Sequence, residues 1–334
     1  MNKYYKFLPL ILILSFLSAG LIYCGGGGGG GGTAATGAFN LTEDNMVEAA
    51  EFAAGDDGLY YNLSAIGLGM VSGLLGPTGA STAAEMPLGD MGLCSPGTSP
   101  PGLSTLILDD IAGNGIVDLG DSLVLTLSNC DFSDDPLSPS VIDGTLTLTF
   151  GDPSVLFDLT FDANLDIEID EVSDSVPQTE AFTAKFQIRV FTTDGINYEI
   201  SITAPDSDDI IETKLNGQTQ YRYGCFNVTL TFDATVDDDF TLVDSGVVDA
   251  PGKGIMSVST SSSLNFDPGL ADPYADSGSM DILSGGDCAG IGTAEGDGSH
   301  IILTATGGGS VTLDLYDSSD TLLATVNTTW DALD

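Results

Sequence analysis

The strongest constraint on the fold is the alternation of apolar and polar residues between positions 157 and 170. Every second residue from Phe157 to Ile169 is apolar, and the residues between them are Asp, Thr, Asn or Glu. A period of two places one kind of side chain on each face of a β-strand, whereas a helix would mix both kinds on every face. At about 3.3 Å per residue this strand is long for a globular protein, which predicts a large curved sheet.

The same alternation recurs from about residue 103 onward, so most of the remaining sequence is predicted to form strands. Further strands are predicted around 123–127, 146–150, 182–190, 198–202, 228–232 and 311–315. The connections are short and rich in Asp, Gly, Ser and Pro, with no helical pattern between the strands, which favours antiparallel pairing. Residues 86–334 are therefore predicted to form one mainly β, antiparallel domain, either a large curved sheet or a sandwich or half-barrel.

A small helical part is predicted over residues 38–85, packed on the sheet. The segment 41–55 has Thr42 as a candidate N-cap, acidic residues in the first turn and Gly55 as a stop. In the segment 59–74 apolar residues recur every three or four positions, which is the spacing of one helix face.

The acidic strand is expected to pair with the strand that follows it in the chain. Lys185 and Arg189 lie at outward positions of that second strand, and residues on one face of an antiparallel pair must oppose each other. One register that satisfies this rule sets Asp166 opposite Lys185 and Asp162 opposite Arg189.

The charge of the chain excludes nucleic acid as a partner. The 334 residues include 49 Asp and Glu but 7 Lys and Arg, for a net charge of −42. No basic face is therefore available to replace phosphate counterions. A polytopic membrane protein is excluded as well, because the only long apolar run lies at the N-terminus.

The N-terminus has the pattern of a bacterial secretory signal. Lys3 and Lys6 precede an apolar run over 7–22, which is short for a membrane span. The run ends in Leu-Ile-Tyr-Cys24, and eight glycines follow at 25–32. This arrangement resembles the lipobox of bacterial lipoproteins.

The lipobox resemblance implies three regions before the folded body. Residues 1–23 would be a signal peptide that is removed, and Cys24 would become the lipidated N-terminus. The glycines that follow it would form a flexible tether over residues 24–37. The protein would then be attached to a membrane through its lipid.

Two residues beside Cys24 bear on processing and location. Tyr23 occupies a position where the family takes Gly, Ala or Ser. Ordinary cleavage after residues 18–20 and an uncleaved N-terminal anchor are therefore the alternatives. Gly25 is not the Asp that the family associates with retention in the inner membrane. The resemblance therefore implies the outer membrane, on its periplasmic or surface face.

The cysteine count fits a lipidated protein in an oxidising compartment. Modification of Cys24 would leave an even number, namely Cys94, Cys130, Cys225 and Cys288. Nearest-neighbour pairing predicts the disulfides Cys94–Cys130 and Cys225–Cys288. A zinc site is disfavoured because the chain has no CxxC spacing and a single histidine.

Residues 110–121 resemble the calcium loop of EF-hand and dockerin modules. The residues that match its oxygen ligands, the last through a backbone carbonyl, are Asp110, Asn114, Asp118, Asp121 and Ile116. Ala112 occupies a ligand position that it cannot fill, and a strand follows where EF-hands have a helix. A β-hairpin that turns at Asn114-Gly115 is the alternative interpretation. Apart from calcium, no cofactor is predicted.

No catalytic site is predicted. His300 has no recognisable nucleophile partner and is interpreted as a surface or packing residue at the start of a strand. Any chain this acidic contains carboxylate pairs, but sugar sites also use aromatic platforms, and Trp330 is the single tryptophan. The acidic clusters at 206–209 and 237–239 lack ligand spacing and are interpreted as solvated turns.

Weaker motifs extend the resemblance to a group of uncharacterised bacterial lipoproteins with a polyglycine tether. They are an Asn near the start of the first helix (Asn45), a Gly-Asp-led strand that ends in Asn-Cys (120–130), and a Thr-Trp pair near the C-terminus (329–330). The group has no assigned activity that the resemblance could transfer.

Three functional hypotheses follow from these observations. The first is a non-enzymatic role in the cell envelope, in binding or scaffolding, with an unknown protein, glycan or lipid as the ligand. The second is a carrier that holds a lipid or another apolar ligand inside a curved sheet. The third is a glycan-acting enzyme, which would need two facing carboxylates and an aromatic platform. A lined apolar cavity would favour the carrier, and a filled interior would favour scaffolding.

Overall fold

The structure, a computed structural model, describes most of the chain after the tether. The described residues are 37–54, 89–90, 102–109, 122–131, 140–150, 157–173, 176–204, 206–233, 240–266 and 274–333. The predicted signal peptide, Cys24 and the predicted helix at 59–74 lie outside these residues.

One helix, α1 (Met46–Ala54), precedes the strands of the described chain. The strands are β1 (Gly89–Asp90), β2 (Leu103–Asp109), β3 (Ser122–Asp131), β4 (Ser140–Phe150), β5 (Phe157–Ser173), β6 (Val176–Thr192), β7 (Asn197–Thr203), β8 (Ile210–Leu215), β9 (Gln218–Asp233), β10 (Phe240–Ala250), β11 (Gly254–Phe266), β12 (Ser277–Ser284), β13 (Gly286–Cys288), β14 (Gly292–Ala294), β15 (His300–Gly307), β16 (Ser310–Tyr316) and β17 (Leu322–Thr329). A single 3-10 turn, Trp330–Ala332, follows the last strand.

Fifteen of these strands form one antiparallel sheet, whose order follows the chain except at β7 and β8 and where β12 pairs with β15. Two short strands, β7 and β8, share one place in it, because both pair with β6 on one side and β9 on the other. The remaining two strands, β13 and β14, form a separate hairpin. The predicted mainly β fold with a large antiparallel sheet is confirmed.

The inward face of the sheet carries the main hydrophobic core. Leu125, Ile202 and Leu313 are fully buried on strands far apart in the sheet, and all three belong to one contiguous cluster. Burial of each such side chain stabilises the fold by about 1.5–3 kcal/mol. The strict period of two along the strands is what places these residues on a common face.

The helix α1 packs on this inward face, as the sequence predicts. It adds Met46, Ala49, Ala50 and Ala53 to the core, and all four are fully buried. The three alanines have no side chain beyond Cβ, which allows the helix to lie close to β10, β12, β15 and β16.

The start of α1 differs from the prediction. The helix begins at Met46, and the backbone N–H of Thr42 donates to Asn45 Oδ1 at 2.8 Å. The side chain of Asn45 also reaches back to the carbonyl of Asn40 at 2.8 Å. Thr42 therefore lies in a turn before the helix. The Asn45 side chain accepts a hydrogen bond from the Thr42 backbone N–H, which would otherwise have no partner at the start of the helix.

The hairpin of β5 and β6 is confirmed, but its predicted register is wrong by two residues. Lys185 lies opposite Asn164, and Arg189 lies opposite Thr160. The connection after Ser173 is only two residues long, because Ser173 pairs with Val176. A loop of that length determines the register of a hairpin. Arg189 then pairs with Asp158, which lies diagonally across β5, and Lys185 pairs with Asp209 outside the hairpin.

A second, smaller core lies outside the main cluster. The β13–β14 hairpin contributes Cys288, Ile291 and Ala294, which pack against Val247 and Ile255 of the sheet. Gly224 of β9 makes this possible, because a Cβ there would lie 2.8 Å from Cys288 Sγ.

Candidate functional site

The described chain begins at one end of the sheet. Phe39 N donates to Ile255 O at 2.8 Å, and Ile255 N donates to Gly37 O at 2.9 Å, which forms a parallel bridge to β11. Gly254 allows this approach, because a Cβ at Gly254 would collide with the backbone of Phe39. The last residue of the predicted tether, Gly37, is therefore held at the β10–β11 turn.

The position of Gly37 distinguishes two ends of the sheet. The near end carries this residue and the turns at 216–217, 251–253 and 317–321, and the far end carries the turns at 193–196 and 308–309. Ion pairing reinforces the near end, because Lys253 Nζ lies 2.6 Å from Glu48 Oε1 of α1. Among the described residues, no helix has the length and apolar character needed to cross a bilayer.

Every lysine and arginine of the folded body contacts a carboxylate. The five pairs are Lys185–Asp209, Arg189–Asp158, Lys214–Glu212, Arg222–Asp249 and Lys253–Glu48. The other two cations of the chain, Lys3 and Lys6, belong to the predicted signal peptide. The surface of the described residues thus presents carboxylates without an unpaired cation, which suits neutral or cationic partners.

Two of these pairs join strands through buried carboxylates. Asp249 is fully buried and accepts a hydrogen bond from Arg222 Nε at 2.8 Å. Asp209 is 3% exposed, binds Lys185 and accepts from the backbone of Asp206 at 3.0 Å. The hydrogen bond to Asp209 raises the pKa of Lys185.

The interpretation of the 206–209 cluster as a solvated turn is therefore wrong for Asp209. Its carboxylate is buried because it closes the turn and holds a lysine of β6, which lies beside this turn in the sheet. The second acidic cluster, at 237–239, lies outside the described residues.

A buried carboxylate that the sequence analysis missed lies on β10. Asp244 is 2% exposed, and its Oδ2 atom has no hydrogen-bond partner. Its Oδ1 accepts from the hydroxyl of Thr260, which in turn accepts from Asp244 N at 2.8 Å. Burial raises the pKa of Asp244 to about 6, against the opposing effect of the Thr260 hydrogen bond.

The strand pairing around Asp244 is irregular. Leu242 pairs with Leu264 and Ser245 with Ser259, so four residues of β11 oppose two of β10 at this point. Such a bulge interrupts the ladder and redirects side chains. The alternation of apolar and polar residues could have indicated this burial, because Asp244 lies on the same face of β10 as the buried Leu242.

Four aromatic residues form a row across neighbouring strands at the far end. They are Tyr198, Phe232, Phe240 and Phe266, which occupy paired positions on β7, β9, β10 and β11. Two pairs of rings stack, Tyr198 on Phe232 with centroids 5.1 Å apart and Phe240 on Phe266 with centroids 4.2 Å apart. These rings pack against the main core, and Tyr198, Phe232 and Phe240 stay partly exposed.

Trp330 and His300 also have structural partners. Trp330 is buried, stacks on Tyr274, and donates from Nε1 to the Ala275 carbonyl at 3.2 Å. His300 stacks on Tyr316, and its Nε2 lies 3.9 Å from Asp320 Oδ1. These contacts fit the interpretation of His300 as a packing residue at the start of β15.

The predicted calcium loop at 110–121 lies outside the described residues, so calcium stays a prediction. The strands on either side are described, and Asp109 pairs with Ser122 at their ends. The part of the chain covered by the structure contains no group of three or more Asp, Glu, His or Cys residues that could hold a metal ion.

The structure joins Cys225 and Cys288, as nearest-neighbour pairing predicts, with their Cα atoms 5.8 Å apart. This bond ties the β13–β14 hairpin to β9. Cys130 is buried and engaged in a disulfide. Cys94 lies outside the described residues, so the Cys94–Cys130 pairing stays a prediction.

Comparisons of the chain with protein-family profiles, with curated proteins and with solved structures found no match.

Proposed function

We propose that the protein is a lipid-anchored lipoprotein of the outer membrane that binds or scaffolds other components of the cell envelope. The observation that carries the proposal is the place of Gly37, at one end of the sheet beside Ile255. A lipid on Cys24 would hold that near end towards the membrane and present the far end away from it. The tether of residues 24–37 would span roughly 20 Å as a flexible coil.

The disulfide and the surface charge support an extracytoplasmic location. The Cys225–Cys288 bond suits an oxidising compartment. A surface on which all cations are paired would be repelled by anionic lipid head groups, so the body would stand off from the bilayer on its tether.

The packing of the described interior supports scaffolding over the alternative role as an apolar-ligand carrier. Side chains that line a ligand cavity keep accessible surface, whereas Phe186, Ile202 and Leu313 keep 1% or less.

Lipidation is tested by comparing the wild type with Cys24→Ser and Tyr23→Ala in cell fractions. We expect the wild type in the membrane fraction, with an N-terminal peptide that carries acyl chains on Cys24. Cys24→Ser should lose both the acyl chains and the membrane association. Tyr23→Ala should keep both, because it restores a small residue to the motif. An unmodified Cys24 in the mature wild type would overturn the proposal.

The orientation is tested with one protease site inserted at 308–309 and, as a matched control, one at 216–217. On membranes that display the protein, we expect the far-end site to be cleaved faster. After release by detergent the two sites should be cleaved at similar rates. Equal rates on the membrane would contradict the proposed orientation.

A further inference from the structure

In the part of the chain that the structure describes, the sheet ends at β17. Among these residues the strand pairs with β16 on one side and with no strand on the other. Its single irregularity lies between Leu322 and Ala324, and the ladder is regular from Ala324 to Thr329. A regular edge of this length can pair with another extended chain.

The direction of the backbone groups on β17 follows from one hydrogen bond. Trp330 N donates to Gly309 O at 3.0 Å. In an antiparallel ladder the direction alternates along the strand. Residues 324, 326 and 328 therefore face β16, and Thr325, Asn327 and Thr329 direct their N–H and C=O groups to the open side.

The usual protection of an edge strand is absent from this one. Between Leu322 and Thr329 there is no charged residue and no proline. Leu322 and Leu323 are 52% and 57% exposed, which equals or exceeds the exposure of other large apolar residues in the described chain. Edge strands are normally guarded by lysine or proline, and β17 has neither.

A second copy of the chain is disfavoured as the occupant of this edge. Antiparallel pairing of two β17 strands must set residues that face the open side opposite each other, for example Thr325 opposite Asn327. In that register Thr321 of each copy would lie opposite Asp331 of the other, so the Asp320 and Asp331 carboxylates, both exposed, would lie one residue apart. Like charges brought together in this way destabilise the pairing.

The same two carboxylates favour a cationic occupant. Asp320 and Asp331 lie just beyond the two ends of β17, so an added strand with a basic residue at each end would meet a carboxylate at each end. No cation of the described residues is left unpaired to supply this charge from within the protein.

We propose that β17 binds an extended segment of another protein, with an uncharged, β-forming centre and Lys or Arg at both ends. The segment would add a strand to the sheet through the backbone of Thr325, Asn327 and Thr329. This proposal rests on the proposed binding role, for which it names the surface and the chemistry of the partner.

The probe is the fluorescent peptide Lys-Thr-Val-Thr-Val-Thr-Val-Lys, titrated with the full chain purified from cells and followed by anisotropy. Asn327→Pro removes an edge N–H and keeps the backbone hydrogen bonds to β16. Asn327→Ala is the matched control that keeps this N–H, and both variants lose the side-chain hydrogen bond from Thr312 to Asn327. We expect the wild type and Asn327→Ala to bind alike and Asn327→Pro to bind about tenfold more weakly or worse. A peptide with Glu at both ends should not bind in the same concentration range.

A second probe needs no variant and so does not depend on the folding of Asn327→Pro. The same peptide with N-methyl groups on alternate residues cannot donate to the edge, and we expect it not to bind the wild type. Binding of Asn327→Pro within twofold of Asn327→Ala, or unchanged binding of the methylated peptide, would overturn the proposal. A wild-type dimer that Asn327→Pro dissociates would overturn it in favour of a second copy. None of these outcomes bears on lipidation of Cys24, which is measured separately.

Discussion

Replacement of Asp244 by Asn should change how the stability of the protein depends on pH. Burial raises the pKa of Asp244 from 3.8 to about 6. A shift of about two units corresponds to about 3 kcal/mol between the charged and neutral forms. Because the folded state holds the proton more tightly, this cost is absent at low pH and develops as the pH rises from about 4 through 6.

The measurement is the free energy of unfolding by urea at pH 4.0 and pH 7.5, for the wild type and Asp244→Asn. We expect the variant to gain about 2 kcal/mol relative to the wild type between the two pH values. An amide keeps the contact with Thr260 but cannot ionise, so any fixed cost of the amide cancels in this difference.

Other carboxylates act in the opposite direction but leave this difference unchanged. Hydrogen bonds lower the pKa of Asp194, Asp297 and Asp317, which removes stability as the pH falls. These groups are present in both proteins. Asp320→Asn, which removes an exposed carboxylate, controls for the loss of one negative charge. A relative gain below about 1 kcal/mol, or one matched by Asp320→Asn, would refute the reasoning.

Two further predictions concern backbone approach and buried charge. Gly254→Ala should destabilise the fold by several kcal/mol more than Gly252→Ala in thermal melts, because both positions have positive φ but only Gly254 abuts the chain at Phe39; equal losses would contradict the close approach. Arg222→Met should cost about 3–5 kcal/mol of unfolding free energy, because it leaves the buried Asp249 carboxylate without its guanidinium; a loss below 1 kcal/mol would contradict this.

The period of the sequence could predict the strands because it is a local property. The alternation over 157–170 is sufficient to predict β5, since the apolar face must be buried whatever it packs against. The register of β5 against β6 depends on the loop after Ser173, which is two residues long, and the alternation does not mark where the strand ends. Charge matching between Lys185 and Asp166 was too weak a guide, because exposed pairs contribute only about 0.2–1 kcal/mol.

The candidate sites were harder to predict because they depend on pairings between strands that the apolar–polar alternation does not specify. The position of Asp244 on the inward face follows from Leu242, but the bulge opposite it depends on the pairing of β10 with β11. The paired state of Asp209 likewise depends on a lysine of another strand. The Cys225–Cys288 bond was predicted by sequence proximity alone, and the β13–β14 hairpin that it secures was not predicted.

The pairing of every basic residue in the described part of the chain determines how copies of this protein would share one surface. Each copy would carry a diffuse cloud of counterions, and neighbouring clouds would push the copies apart. The range of this repulsion is about 30 Å at 0.01 M salt and about 8 Å at 0.15 M. The number of copies that can cover a given area of surface would therefore rise with the salt concentration of the surrounding medium.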